Sequence, residues 1–119
     1  MDNTSQRLSR DVRIQETIDI SVDNGIDYIP MNFEFDSHKS ASNRRKHGID
    51  FPAAQALWDD SDRIEIPART DDEPRFMVIG KIGSRVWAAV ITYRDENVRV
   101  ISVRSARRKE IAIYESEGL

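Results

Sequence analysis

The sequence predicts an α+β fold: an antiparallel sheet of four or five strands, with two short helices near the start and one helix at the C-terminal end. Three observations carry this reading. Residues 75–103 hold three strand-like runs, separated by the turn pairs Gly83-Ser84 and Asp95-Glu96. Asp36 and Asp50 each stand ahead of a short segment that suits a helix. From about Ala106 the apolar period becomes helical.

The elements follow in order. Residues 1–30 stand apart, with three arginines against six acids and no long apolar period. Within them Thr17 to Val22 alternates polar and apolar residues, which permits a short strand. We expect residues 1–30 to be an appendage, as from an upstream translation start, and Met31 to open the core domain 31–119. Met31 to Asp36 alternates as a strand. Asp36 or Ser37 caps a helix from about His38 to His47, with Gly48 as its stop. Its centre is small and polar, and Arg44, Arg45, Lys46 and His47 crowd its end, where cations suit the negative pole of the helix dipole. So few apolar side chains predict a surface helix. Asp50 caps a second, shorter helix; Pro52 is tolerated in its first turn, and Phe51, Ala54, Leu57 and Trp58 share a side.

Arg63 to Ile66 alternates as a strand, and Pro67 to Pro74 reads as a polar loop. Arg75 to Ile82 sets Phe76, Val78 and Ile82 on one face, and Gly83 suits the first position of a two-residue hairpin. Arg85 to Tyr93 is apolar on both faces, which predicts a central strand. Asn97 to Val103 completes the meander, and Arg107, Ile111 and Tyr114 share a face of the last helix.

Composition excludes several chemistries. Hydrophobic residues make up 39% of the chain and charged residues 33%, with no apolar run long enough for a membrane helix and no hydrophobic leader at Met1–Arg10, so a cytoplasmic address is expected. Cysteine is absent, which removes disulfides, iron–sulfur clusters and thiol nucleophiles. The two histidines, His38 and His47, lie nine residues apart without a zinc pattern, and neither a phosphate-cradling glycine loop nor a serine elbow occurs. No metal and no cofactor is therefore expected.

Charge points elsewhere. The net charge of −3 speaks against nucleic acid, yet residues 94–109 carry six cations against two acids. Of 18 basic residues 14 are arginine, whose planar fork suits phosphate. Cleavage of RNA fits such a set. The ribose 2′-hydroxyl supplies the nucleophile, so the protein need only provide a base, an acid and positive charge. His47 suits proton transfer and the arginines suit the phosphate. Each of these side chains is equally readable as a solvated charge or a salt-bridge partner.

Several motifs point further. Phe33-Glu34-Phe35-Asp36, Asn43 to Phe51, Ala54, Trp58-Asp59-Asp60, Arg75 to Gly80, Thr92-Tyr93-Arg94 and Arg99 to Arg107 with Glu110 and Tyr114 together resemble the BrnT family of bacterial type II toxin–antitoxin pairs over residues 31–117. Residues 1–30 lie outside the resemblance. It implies a RelE-like fold and an endoribonuclease that inhibits translation. The implied partner is a BrnA-like antitoxin, with operator DNA engaged only through the toxin–antitoxin complex. It also implies Lys46 and His47 as acid–base or phosphate groups, Arg75 as a phosphate binder, and Arg94 and Arg104 as supporting cations. Arg44, Arg45, Arg99, Arg107 and Arg108 are expected to hold RNA, although Arg107 is placed to pair with Glu110 instead. Two alternatives stay open. The basic surface serves a non-catalytic module that binds antitoxin or RNA, or the acidic leader folds back over it.

Overall fold

The computed structural model describes residues 12–17, 31–69 and 72–117. Six strands form one sheet: β1 (Val12–Thr17), β2 (Met31–Asp36), β3 (Ile64–Ala68), β4 (Arg75–Ile82), β5 (Arg85–Arg94) and β6 (Asn97–Ser105), in the order β1-β2-β6-β5-β4-β3. The helices are α1 (Ser37–His47), α2 (Phe51–Ala54) and α3 (Arg108–Glu117), and a 3-10 turn over Gln55–Asp59 continues α2. No described helix is long and apolar enough to cross a membrane.

The expected α+β class holds, but the sheet is mixed, not antiparallel. β2 runs parallel to β6, with Phe33 beside Val98 and Glu34 beside Arg99. The cause is local. Asp36 turns β2 straight into α1, accepting the N–H groups of His38 (2.8 Å) and Lys39 (3.1 Å), so β2 has no hairpin to its successor and pairs instead with the last strand. The remaining interior pairs are antiparallel, and β1 adds antiparallel to the outer edge of β2. β1 lies N-terminal to the strand expected at Thr17–Val22; residues 18–22 are outside the described set.

The meander matches its sequence pattern closely. β5 is interior, with Trp87, Ala89 and Ile91 buried on one face and Val86 and Ala88 on the other. Gly83 (φ +65°) takes the first hairpin, and Asp95 and Glu96 both adopt positive φ in the second. β3 runs on through Pro67, beyond its expected end, because it is the sheet's edge, where proline's missing N–H costs no ladder bond.

Each face has its own core. On one, α1, α2 and the 3-10 turn cover Phe33, Phe35, Val78, Trp87, Ala89, Ile91, Val98, Val100 and Val103, and Phe51, Ala54 and Leu57 fill in from the helices. On the other, Tyr114 of α3 packs over Ile79, Val86 and Ala88, flanked by Ile111. Gly80 permits the close approach of the 3-10 turn, since a Cβ there would lie 3.2 Å from each of Leu57 Cδ2, Asp60 Oδ2 and Arg63 Cβ. Asp60 then ties the layers together. Its Oδ2 accepts the Lys81 N–H (2.8 Å) and the Tyr114 hydroxyl (2.7 Å). Burial pushes the Asp60 carboxyl up, but these bonds outweigh it and hold the group below its ordinary value.

One irregularity decides which side chains reach the open face. Val90 pairs with Ser102 and Ile91 with Val100, which leaves Ile101 as an extra residue on β6. This bulge resets the alternation. Val103 joins Val98 and Val100 in the helix-covered core, and Ser102 and Arg104 turn to the same face as Arg99. If Ile101 instead took a regular place in the alternation, Arg104 would point into the apolar layer.

Candidate functional site

α1 is held by hydrogen bonds where most helices are held by apolar packing. Its only buried side chains are Ser40 and Asn43. Ser40 Oγ accepts the Phe51 N–H (2.9 Å), which fixes the turn into α2. Asn43, 6% exposed, donates to the carbonyls of Ile49 (2.8 Å) and Val103 (2.9 Å) and accepts the Val103 N–H (3.1 Å). β2 pairs with β6 only at Val98–Arg99. Past that point the Asn43 amide takes the place of a neighbouring strand, docking the helix on the open edge of β6. At its end Gly48, in the left-handed region at φ +82°, donates its N–H to the Arg44 carbonyl and stops the helix.

That docking creates a groove of about 280 Å³. Lys39, Ser42, Asn43, Lys46 and His47 line it from α1, at the spacing of one helix face, and Ile101 and Ser102 line it from β6. The structure thus brings Lys46 and His47 together in one concavity. Neither has an ion-pair partner among the described residues. Arg45 is exposed, and Arg44 reaches Asp50 only at 3.9 Å.

Arg75, Arg94, Arg99 and Arg104 lie on the same sheet face as α3, to one side of the residues that α3 covers. Pairing sets Glu34, Arg99 and Thr92 in one row across β2, β6 and β5. Arg75, one step beyond the Phe76–Ile91 pair, extends the row onto β4. Arg94 follows in the next row, opposite Asn97. Arg99 and Arg104 therefore share the strand that borders the groove. Arg75 lies two strands away, at about 10 Å from β6 by ordinary strand spacing. The structure does not bring Arg75 or Arg94 next to His47.

Most of these arginines have carboxylate partners. Glu34, 3% exposed, accepts from Arg99 Nη1 (2.9 Å) and Asn97 Nδ2 (3.1 Å). Arg104 forms a two-pronged pair with Glu110 at 2.8 Å on both prongs, and this bond keeps Arg104 above its ordinary value. The same contact, with the Arg107 N–H bond (2.7 Å), outweighs burial and holds Glu110 low. Arg107 thus meets Glu110 through its backbone, and its side chain and that of Arg108 are exposed at the start of α3. Arg75 and Arg94 share Glu73, at 3.6 and 3.4 Å.

Glu34, Glu73, Asn43 and Ser102 are the site residues that sequence reasoning missed. Only Asn43 left a signal: an amide at the centre of a helix that lacks an apolar stripe. Among the described residues no three or more His, Asp or Glu side chains converge as a metal-ion site would need.

The family model for the ribonuclease toxin BrnT of type II toxin–antitoxin systems matches residues 35–110, from the end of β2 into the first turn of α3. No curated protein matches the chain. With the match covering the groove, the bulged strand and all the candidate cations from Arg44 to Arg108, the chain belongs to the BrnT family of ribonuclease toxins.

Proposed function

We propose that the protein is a metal-independent endoribonuclease toxin that cuts RNA at the seam between α1 and β6, inhibits translation in the cytoplasm, and is neutralised by a BrnA-like antitoxin. One observation carries the reading: an amine and an imidazole, without ion-pair partners among the described residues, share a groove beside the strand that bears Arg99 and Arg104. In the reaction the ribose 2′-hydroxyl attacks the adjacent phosphorus and gives up its proton. The P–O5′ bond breaks, and the departing 5′-oxygen takes a proton. The products are a 2′,3′-cyclic phosphate and a 5′-hydroxyl. His47 and Lys46 serve proton transfer and the developing negative charge. Arg75 and Arg94 hold the RNA farther along the sheet, and Arg44, Arg45, Arg107 and Arg108 attract it from the rim. The antitoxin covers the same cations, and its complex carries operator DNA binding.

The test is paired. The full chain cuts RNA in vitro and arrests growth on expression, whereas the His47→Ala, Arg75→Ala double variant does neither and keeps the wild-type circular dichroism spectrum. Cutting or arrest by the folded double variant would remove both residues from the site.

A further inference from the structure

Among the described residues one buried side-chain atom that can hydrogen-bond has no partner: Nε of Arg75. A buried donor left unpaired is costly, so an added acceptor near it is favoured. Its surroundings show the same shortfall. Two guanidinium groups, Arg75 and Arg94, share a single carboxylate, Glu73. Their contacts of 3.6 and 3.4 Å are well beyond the roughly 2.7–2.9 Å of a good charge-assisted bond. The other two arginines of this sheet face are closed by short bonds, Arg99 to buried Glu34 at 2.9 Å and Arg104 to Glu110 at 2.8 Å. The Arg75–Arg94 pair is under-satisfied, carries one net positive charge with Glu73 included, and is open to solvent at 38% and 48% of its side chains.

Resting on the ribonuclease reading above, in which Arg75 and Arg94 hold the RNA backbone, we propose that Glu73 occupies their phosphate subsite in the free protein. Glu73 sets RNA affinity by competing with phosphate. The geometry suits an exchange. Thr92 Oγ1 donates to the Pro74 carbonyl (2.7 Å) and anchors the chain beside Glu73, while the Glu73 side chain itself is one-third exposed. A phosphate presents more acceptor oxygens than the carboxylate and fits the planar forks of two arginines. Arg99 and Arg104 offer no such exchange, because releasing Glu34 or Glu110 would strand a largely buried carboxylate.

The test uses the full chain and a single-stranded 2′-O-methyl oligoribonucleotide, which binds and cannot be cut by 2′-hydroxyl attack. Glu73→Gln binds it about three- to fivefold tighter at low salt, the effect of removing one partly exposed competing charge. The slope of log affinity against log salt steepens by up to about 0.7, one extra phosphate contact on a single strand. Glu115→Gln, on the exposed side of α3, controls for net charge and leaves affinity unchanged. Arg94→Gln in the otherwise native chain makes the slope shallower by about 0.7, and this readout stands even if Glu73→Gln fails to fold. Unchanged or weaker binding by folded Glu73→Gln, equal tightening by Glu115→Gln, or an unchanged slope in Arg94→Gln overturns the proposal. So does tightening toward an Asp/Glu-rich peptide without tightening toward the oligonucleotide, which would assign the subsite to a protein partner. Because binding is read without cleavage, a chain that shows these shifts and fails to cut RNA refutes the ribonuclease mechanism and leaves the subsite standing.

Discussion

Replacing Asn43 with alanine removes three hydrogen bonds at once. The carbonyls of Ile49 and Val103 lose their side-chain donor, and the Val103 N–H loses its acceptor. At about 0.5–1.5 kcal/mol per intramolecular bond, with an added penalty where a group stays buried and unpaired, the loss comes to about 2–4 kcal/mol. Water entering the space left by the amide recovers part of this, which favours the lower half of the range. Equilibrium urea unfolding measures it as a midpoint lowered by about 1–2 M at the m-value of a small domain. Function should fall more steeply than stability. Asn43 is the pin that holds α1 on the β6 edge, and Lys46 and His47 stand three and four residues farther along the same helix face. RNA cutting per folded molecule therefore drops at least tenfold at a temperature where the variant remains folded. A destabilisation below about 0.5 kcal/mol would show that the amide bonds are not what docks α1. Full activity per folded molecule would show that the helix position does not govern the site.

Two further expectations concern pH. Asp60 and Glu110 lie below their ordinary values of 3.8 and 4.5, so the stability they contribute is complete above those values and is lost as pH falls through the lower native ones; urea midpoints across pH 2–6 should decline accordingly, and Glu110→Gln should flatten part of the decline. Tyr114, bonded to Asp60 and buried, and Tyr93, about half-exposed but partly desolvated and bonded to Glu65 at 2.7 Å, are both pushed up to about 12 from 10.0, so their contribution is complete below pH 10 and is lost between pH 10 and about 12; Tyr114→Phe should weaken that alkaline loss, and an unchanged alkaline limb would reject the assignment.

Much of the fold was legible because its signals are local. The alternation around Trp87, Ala89 and Ile91, the turn pairs at Gly83-Ser84 and Asp95-Glu96, and the caps Asp36 and Asp50 each act within a few residues of themselves. The parallel pairing of β2 with β6 was not legible, because Phe33 and Val98 are 65 positions apart and parallel neighbours leave no turn between them. The bulge was hidden for a related reason. Val100-Ile101-Ser102-Val103 reads equally well in either register, and only the fixed partners Val90 and Ile91 on β5 reveal the extra residue. The site was legible as a set of residue types and not as an arrangement. Lys46 and His47 stood out as a cationic helix end, whereas the carboxylates that occupy Arg99, Arg75 and Arg94 come from β2 and from the segment leading into β4.

The chemistry of the cut ends tests the mechanism most directly. Mass spectrometry of RNA fragments made by the full chain in EDTA should find 2′,3′-cyclic phosphate or 3′-phosphate on one side of each break and a 5′-hydroxyl on the other, and no break where the ribose at the cut carries hydrogen at its 2′ position. Fragments with 5′-phosphate ends, or cutting at such a deoxyribose, would contradict it.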